Sequence, residues 1–383
     1  MKLLVIPHAY SSHLVVREIE LARCWARSHE VYVARPPVLN GARGLLDKLR
    51  FHAGALWTNI EPWPGGWHWL TMPGYYHLPA LQGGVTSWAI RSVLKRFHFD
   101  AVINASYLGD AATPGCLGAE IPPGGYRYLY DLVDDHAGGC QLYGHPEEAE
   151  RTDDVIRREI AKADHVIAVT PYLREVCRGR YGKDATVIPN GFQPPPMPVD
   201  EARTARLRAE LGLHPGRVIG YIGSLDGWVD VDFMVRVLHQ LRERDGTAQL
   251  LIVGGGERLS ALRARYARVP GLIFSGWVPR ERVEHYFRLI DLGLIPFAEN
   301  ALTHAALPIK ALEYGAYGKP VLASALSGLR QLNLSWVTCK SMAVNDWCRE
   351  INERLSRRSS PPTHKELAAY RWDALAKAIE RLF

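Results

Sequence analysis

The sequence predicts an α/β protein of two consecutive domains, each built on a parallel sheet with helices on both faces. Three observations lead there. The chain has 383 residues and is 47% hydrophobic, more than one ordinary core organises. Short apolar runs alternate with stretches of helical period through both halves. Residues 191–200 contain Pro194, Pro195, Pro196 and Pro198, a stiff segment that continues neither a helix nor a central strand. The domain boundary falls there, with residues 1–190 before it and 191–369 after it.

In the first half, strands are expected at residues 3–6, 30–34, 100–105, 126–133, 165–170 and 186–189. Ser11 or Ser12 caps a helix reaching about residue 28, with Val15, Ile19, Ala22 and Trp25 on one face. Further helices are expected at 85–97, 147–163 and 172–181. Residues 36–84 are different. Trp57, Trp63, Trp67, Trp69, Tyr75 and Tyr76 are interleaved there with Gly and Pro, and Arg43, Lys48 and Arg50 precede them. Two readings fit this stretch: an irregular region packing its own aromatics, or an insertion that binds acceptor or touches a membrane.

The second half alternates more cleanly, with strands at 218–223, 249–253, 272–275, 292–296 and 321–323 and helices at 231–244, 258–268, 282–290 and 309–317. This is a doubly wound pattern, in which ligands sit beyond the carboxyl ends of the strands. That rule selects residues 223–227, 254–257, 276–279 and 297–308.

Composition narrows the function classes. Charged residues make up 22% and the net charge is +6, a folded and mildly basic chain compatible with anionic ligands. Cys24, Cys116, Cys140, Cys177, Cys339 and Cys348 form no CxxC pair and no zinc-type spacing, which reads as reduced thiols of a cytoplasmic protein. The opening apolar run ends at Pro7 and His8, too short for a signal peptide, and no stretch is long and apolar enough to span a bilayer. Neither a metal motif in a donor position nor a nucleic-acid-binding pattern is evident.

Two segments carry chemistry. Strand residues Ile252 and Val253 run into Gly254, Gly255 and Gly256; glycines let backbone N–H groups approach a phosphate, and they equally serve a tight turn. The spacing is not that of a dinucleotide site. Farther on, Pro308 suits a first helical turn, and Lys310 and Glu313 share a helix face. They read either as a site, with Lys310 attracting a diphosphate and Glu313 accepting two ribose hydroxyls, or as a surface ion pair. In the first half, Tyr130-Asp131-Leu132-Val133-Asp134-Asp135-His136 closes a strand. Asp134 and Asp135 are both candidates for the base that deprotonates an acceptor hydroxyl, and His136 for a group supporting a donor sugar. His8 and His13 read as packed or surface histidines.

The run FSGWVPRERVEHYFRLIDLGLIPFAENALTHAALPIKALEYGAYGKPVLAS, residues 274–324, resembles the donor-binding half of GT-B glycosyltransferases, in particular family 4, or glycosyl transferases group 1. Supporting pieces are Val187-Ile188-Pro189-Asn190-Gly191, residues 220–223 and 251–257, and the closing Tyr370-Arg371-Trp372 with its terminal helix. The resemblance implies two Rossmann-like domains facing a cleft, with residues 370–383 packing back on the first. It implies that Glu313 binds the nucleotide ribose, that Trp277 and Val278 contact the base, that Gly223 and Ser224 face the diphosphate, and that Asn300, Leu302 and Thr303 lie near sugar and phosphates. The chain departs from the pattern at Ala305, where the first glutamate of the E-x7-E motif would fall. It departs again at Ser224-Leu225-Asp226-Gly227-Trp228, where a basic pair is usual, and in lacking the N-terminal Gly-Gly loop. Lys310 is then the cation best placed for phosphate.

The implied activity is transfer of a sugar from a nucleotide diphosphate sugar, with UDP the commonest carrier, to a hydroxyl of a carbohydrate, lipid-linked or small-molecule acceptor. Polysaccharide, glycolipid or natural-product glycoside synthesis would be served, in the cytoplasm or peripherally on the inner face of the membrane, with no separate cofactor. The alternatives are a nucleotide-sugar 2-epimerase and a non-catalytic bilobal sugar-binding protein.

Overall fold

The computed structural model describes residues 1–8, 16–35, 58–72, 79–107, 120–142, 146–195, 200–356 and 362–383. Ser11, Ser12, His13, Val15, Arg43, Lys48, Arg50, Trp57, Tyr75, Tyr76, Cys116, Pro196 and Pro198 lie outside the described residues. The chain forms two compact units, Met1–Pro189 with Trp372–Phe383, and Asn190–Arg371.

The first unit holds an eight-stranded sheet in the order β3-β4-β2-β1-β5-β6-β7-β8. Its strands are β1 (Lys2–Ile6), β2 (Glu30–Arg35), β3 (Asn59–Pro62), β4 (His68–Thr71), β5 (Ala101–Asn104), β6 (Arg127–Leu132), β7 (His165–Ala168) and β8 (Thr186–Val187). Among the described strands only β3 runs antiparallel to its neighbour. Leu3, Leu4, Val5 and Ile6 are all buried, because helices cover both faces of a parallel sheet and no residue of a central strand meets water. Leu3 pairs with Val31 on one side and Ala101 on the other. The chain thus leaves β1 in one direction and returns to its other side at β5, which makes their carboxyl ends a topological switch point.

The helices of this unit are α1 (Arg17–Trp25), α2 (Pro79–Arg96), α3 (His136–Leu142), α4 (Pro146–Lys162) and α5 (Pro171–Tyr181). Helix α1 starts after Val16 without a side-chain cap, later than a Ser11 or Ser12 cap would place it. Glu18 and Glu20 in its first turn suit the positive end of the helix dipole instead. The last helix of the chain, residues Trp372–Glu380, belongs to this unit, and Trp25 donates its indole N–H to the Ala376 carbonyl at 3.2 Å. Within the tryptophan-rich stretch, the described residues 58–72 carry a hairpin of β3 and β4 in which Trp67 and Trp69 meet edge to face at 5.8 Å.

The second unit holds a six-stranded, wholly parallel sheet in the order β11-β10-β9-β12-β13-β14. The strands are β9 (Val218–Ile222), β10 (Gln249–Val253), β11 (Leu272–Gly276), β12 (Leu292–Ile295), β13 (Val321–Ala323) and β14 (Val337–Cys339). Around it lie α6 (Glu201–Glu210), α7 (Val231–Arg244), α8 (Leu259–Arg265), a 3-10 turn (Arg280–Arg282), α9 (Val283–Leu289), α10 (Ala301–Ala305), α11 (Ile309–Ala316), α12 (Ser327–Gln331), α13 (Val344–Ser356) and α14 (His364–Ala368). Strand β14 and helix α13 extend the sheet beyond the sequence expectation. Trp347 of α13 packs edge to face on Phe233 of α7 at 4.9 Å, which covers that face. The five described cysteines are free. Among the described residues, no helix is long and apolar enough to cross a membrane.

Candidate functional site

In the second unit the glycines at the ends of β9 and β10 let two loops meet. Gly223 and Gly254 have φ of 149° and 141°, where side chains are strained. A Cβ on Gly254 would lie 1.9 Å from the Gly223 carbonyl oxygen, and one on Gly223 would lie 2.6 Å from the Lys310 Nζ. Backbone bonds fasten the loops: Gly223 N–H to Val253 O at 2.9 Å, Leu225 N–H to Gly255 O at 2.8 Å, and Gly254 N–H to Gly276 O at 2.9 Å. Gly254→Ala should therefore cost about 2–4 kcal/mol, because backbone cannot move aside as a flexible side chain can. Calorimetric melting measures this, and a Tm within a degree of wild type would refute it.

Lys310 is the second residue of α11, whose N-cap is Pro308. Its Nζ donates to the Tyr221 hydroxyl at 3.0 Å and lies 4.6 Å and 4.9 Å from the centroids of the Tyr221 and Phe297 rings. Burial against these rings lowers its pKa to about 8, while the charges of Asp226 and Glu313 work in the opposite sense. The Tyr221 hydroxyl in turn donates to Ser224 O at 2.7 Å, and the Ser224 hydroxyl bonds the Asp226 carboxylate. A desolvated cation thus stands beside the Gly223–Ser224 loop.

Glu313 lies one turn along the same helix, largely buried. Its partner is Arg280, whose Nη2 is 2.5 Å from Oε1, so Lys310 and Glu313 do not form the surface ion pair that their spacing allows. Trp277, in the loop that leads to Arg280, is 55% exposed, and Val278 beside it is half-buried against the core. Gly255 approaches closely: a Cβ there would lie 3.4 Å from the Trp277 Cβ. Asn300 and Thr303 cap α10 reciprocally, with Thr303 N–H to Asn300 Oδ1 at 3.0 Å and Asn300 N–H to Thr303 Oγ1 at 3.1 Å. Their side chains shape the loop, and Leu302 is partly exposed between them.

In the first unit, the end of β6 separates the two aspartates. Asp135 accepts from Arg180 Nη1 at 2.6 Å and Nη2 at 3.0 Å, and from Gly138 N–H in the first turn of α3 at 3.1 Å. Asp134 is partly exposed, and burial of its carboxyl raises the pKa to about 7, with Glu18 and Asp135 adding and His8 opposing. His136 stacks on Tyr107 at 3.6 Å and faces His8 at 6.0 Å. Burial, helped by the nearby His8, holds it well below the usual histidine range and therefore neutral. Among the described residues its Nε2 is buried without a hydrogen-bond partner.

Three participants go beyond the sequence reading, which takes His8 as a packed or surface histidine and assigns nothing to Glu18 or Arg17. His8 follows β1 after Pro7, and its Nδ1 is 2.8 Å and 3.0 Å from the two oxygens of buried Glu18. Burial pulls the His8 pKa down, but Glu18 outweighs it and the net shift is upward; Glu18 is lowered in return. Arg17 donates Nε to Asp131 at 2.8 Å and its Nη atoms to the carbonyls of Pro189 and Ile188 at 2.6 Å and 3.0 Å, tying α1 to β6. The available signal was the charged pair Arg17-Glu18 on a helix whose later residues, Leu21 and Trp25, are core. His8, Tyr107, Asp134 and His136 all follow the carboxyl ends of β1, β5 and β6.

Residues 16–194 match the family described as Glycosyltransferase Family 4, and residues 216–356 match Glycosyl transferases group 1. The two glycosyltransferase family models thus match the two halves of the chain in turn. A GDP-mannose-dependent alpha-(1-6)-phosphatidylinositol monomannoside mannosyltransferase of Mycolicibacterium smegmatis is 28% identical over 62% of this chain and 63% of its own length. A D-inositol 3-phosphate glycosyltransferase of Corynebacterium jeikeium is 26% identical over 53% of each. The chain spans less than two thirds of the length of these relatives. Among solved structures, sucrose-phosphate synthase of Thermosynechococcus elongatus superposes with a TM-score of 0.70 at 16% identity, over 100% of this chain and 98% of that one. Anabaena HepE in complex with UDP and glucose gives 0.67 at 15% identity, with the same coverage. The chain therefore has the GT-B fold.

Proposed function

We propose that this chain is a glycosyltransferase that moves a sugar from a nucleotide diphosphate sugar, with UDP as carrier, to an acceptor hydroxyl. The observation that carries the proposal is the desolvated Lys310 beside the Gly223–Ser224 loop, one helical turn from the buried Glu313. In this reading the diphosphate takes the Lys310 charge and lies against the backbone of Gly254 and Gly255, whose lack of side chains admits it. Glu313 exchanges Arg280 for the ribose hydroxyls, Trp277 and Val278 border the base, and the loop shaped by Asn300, Leu302 and Thr303 borders the sugar. UDP is the nucleotide bound by the fold neighbour HepE, whereas the Mycolicibacterium relative is named for GDP-mannose.

The first unit, closed by the final helix, holds the acceptor in this proposal. Asp134 takes the hydroxyl proton as the new glycosidic bond forms and the bond to the diphosphate breaks; Asp135 anchors the loop through Arg180, and His136 donates a hydrogen bond to a sugar oxygen. Relatives named for phosphatidylinositol and inositol phosphate acceptors make a lipid or polyol hydroxyl a fitting target. Exposed Trp88, with exposed Arg91 and Lys95 farther along α2, suits peripheral contact with an anionic cytoplasmic membrane face.

The test is incubation with UDP-glucose or GDP-mannose labelled in the sugar, with and without a lipid and polyol extract. Label moving into the extract, with matching release of nucleoside diphosphate, is expected. Label recovered in an epimeric nucleotide sugar, or nucleotide bound without turnover on any acceptor, would contradict it.

A further inference from the structure

We propose that the hollow between α6 and α9 in the second unit is a binding site for a phosphate group, separate from the residues assigned above to the nucleotide. Arg203 and Arg206 stand one helical turn apart on α6, and Arg282 ends the turn that leads into α9. All three line one cavity of about 150 Å³. Its floor is buried Leu207, His285 and Tyr286. The His285 ring is held from both edges, with Nδ1 3.0 Å from Thr204 Oγ1 and Nε2 3.4 Å from the Glu284 carboxylate. A rigid apolar and aromatic floor under three guanidinium groups is a shaped recess and not merely a charged helix face.

The charges in the recess are not balanced. Among the described residues, the side chains of Arg203, Arg206 and Arg282 make no ion pair and no hydrogen bond. Other arginines of the same unit do find carboxylates, Arg265 with Asp232 at 3.0 Å and Arg349 with Asp346 at 2.6 Å. Glu210 is the single carboxylate in the lining, against three cations. Like charges gathered around one small hollow repel each other, and a multiply charged oxyanion offsets that repulsion while accepting the planar N–H forks that guanidinium groups present. Size sets the ligand class. The cavity is about half the roughly 300 Å³ at which whole small-molecule sites begin, so it admits a phosphate group and not a nucleotide. That group can belong to a soluble phosphate ester or to a phospholipid headgroup; the recognising chemistry is the same.

The experiment uses the full chain and two probes: inorganic phosphate followed by calorimetry, and co-sedimentation with phosphatidylglycerol–phosphatidylcholine vesicles against phosphatidylcholine alone. Wild type is compared with Arg203→Gln/Arg206→Gln/Arg282→Gln, with the single Arg282→Gln, and with Lys310→Ala/Glu313→Ala. We expect binding of at least one probe to weaken by about tenfold or more in the triple variant and partly in the single one, and to persist in the Lys310→Ala/Glu313→Ala protein. Loss confined to phosphate identifies a soluble ester as the source, and loss on vesicles identifies a headgroup. Wild-type binding of neither probe, equal binding by the triple variant and wild type, or loss in Lys310→Ala/Glu313→Ala alone would overturn the proposal. All three arginines are on the surface, and an unchanged thermal melt of the single variant separates lost binding from lost fold.

Discussion

Replacing Asp134 with Asn is expected to lower sugar transfer by about 10²–10⁴-fold, the range of a positioned general base, while nucleotide affinity stays as in wild type. Asp134 follows β6 at the carboxyl end of the first sheet, and its neighbour Asp135 is already committed to Arg180 and to the first turn of α3. Burial raises the Asp134 pKa to about 7. A carboxyl with that pKa accepts a proton only when ionised, so the wild-type rate should climb as pH rises through about 7 and then level off. Asp134→Asn should erase that limb. Asp135→Asn should behave differently: it leaves Arg180 with only its longer, 3.8 Å contact to Asp153 and should appear first as a lower melting temperature. Full transfer by Asp134→Asn, with the acid limb intact, would remove Asp134 from the chemistry.

Lys310→Ala should weaken nucleoside diphosphate binding by about 2–3 kcal/mol, because a charge-assisted contact in a desolvated setting is lost. The pH dependence gives a second reading. With its pKa lowered to about 8, Lys310 carries its charge below that pH and loses it above. A bound diphosphate favours the protonated form, so affinity should be flat below about pH 8 and fall by up to tenfold per pH unit above it. The variant should show no such decline. Titrations between pH 7 and 9.5 measure both effects, and a parallel decline in the two proteins would assign it to another group.

The sheets were legible because their strands are apolar on both faces. Residues 3–6 and 249–253 read as buried strands without any partner in view, and the carboxyl-end rule then located the loops around Gly223, Gly254 and Trp277. Lys310 and Glu313 were legible as a pair because helical spacing is local. The partner of Glu313 was not: Arg280 reaches it from another loop, and nothing in residue spacing encodes a contact made by tertiary packing. The same holds for Asp135 and Arg180, whose pairing distinguishes two aspartates that are equivalent in sequence. The β3–β4 hairpin was hidden by Pro62, Gly65 and Gly66, which read as loop residues although they end a strand and form its turn. His8 was discounted as a lone histidine because Glu18, its orienting carboxylate, lies in the next helix.

The account rests on the second unit holding a nucleotide through Glu313, and calorimetric titration of UDP and GDP into wild type and Glu313→Ala tests this most directly. Micromolar-range binding of at least one nucleotide by wild type, weakened by about a hundredfold or more in the variant, is the predicted result. Equal affinity in the two proteins, or no heat from either nucleotide in wild type, would contradict it.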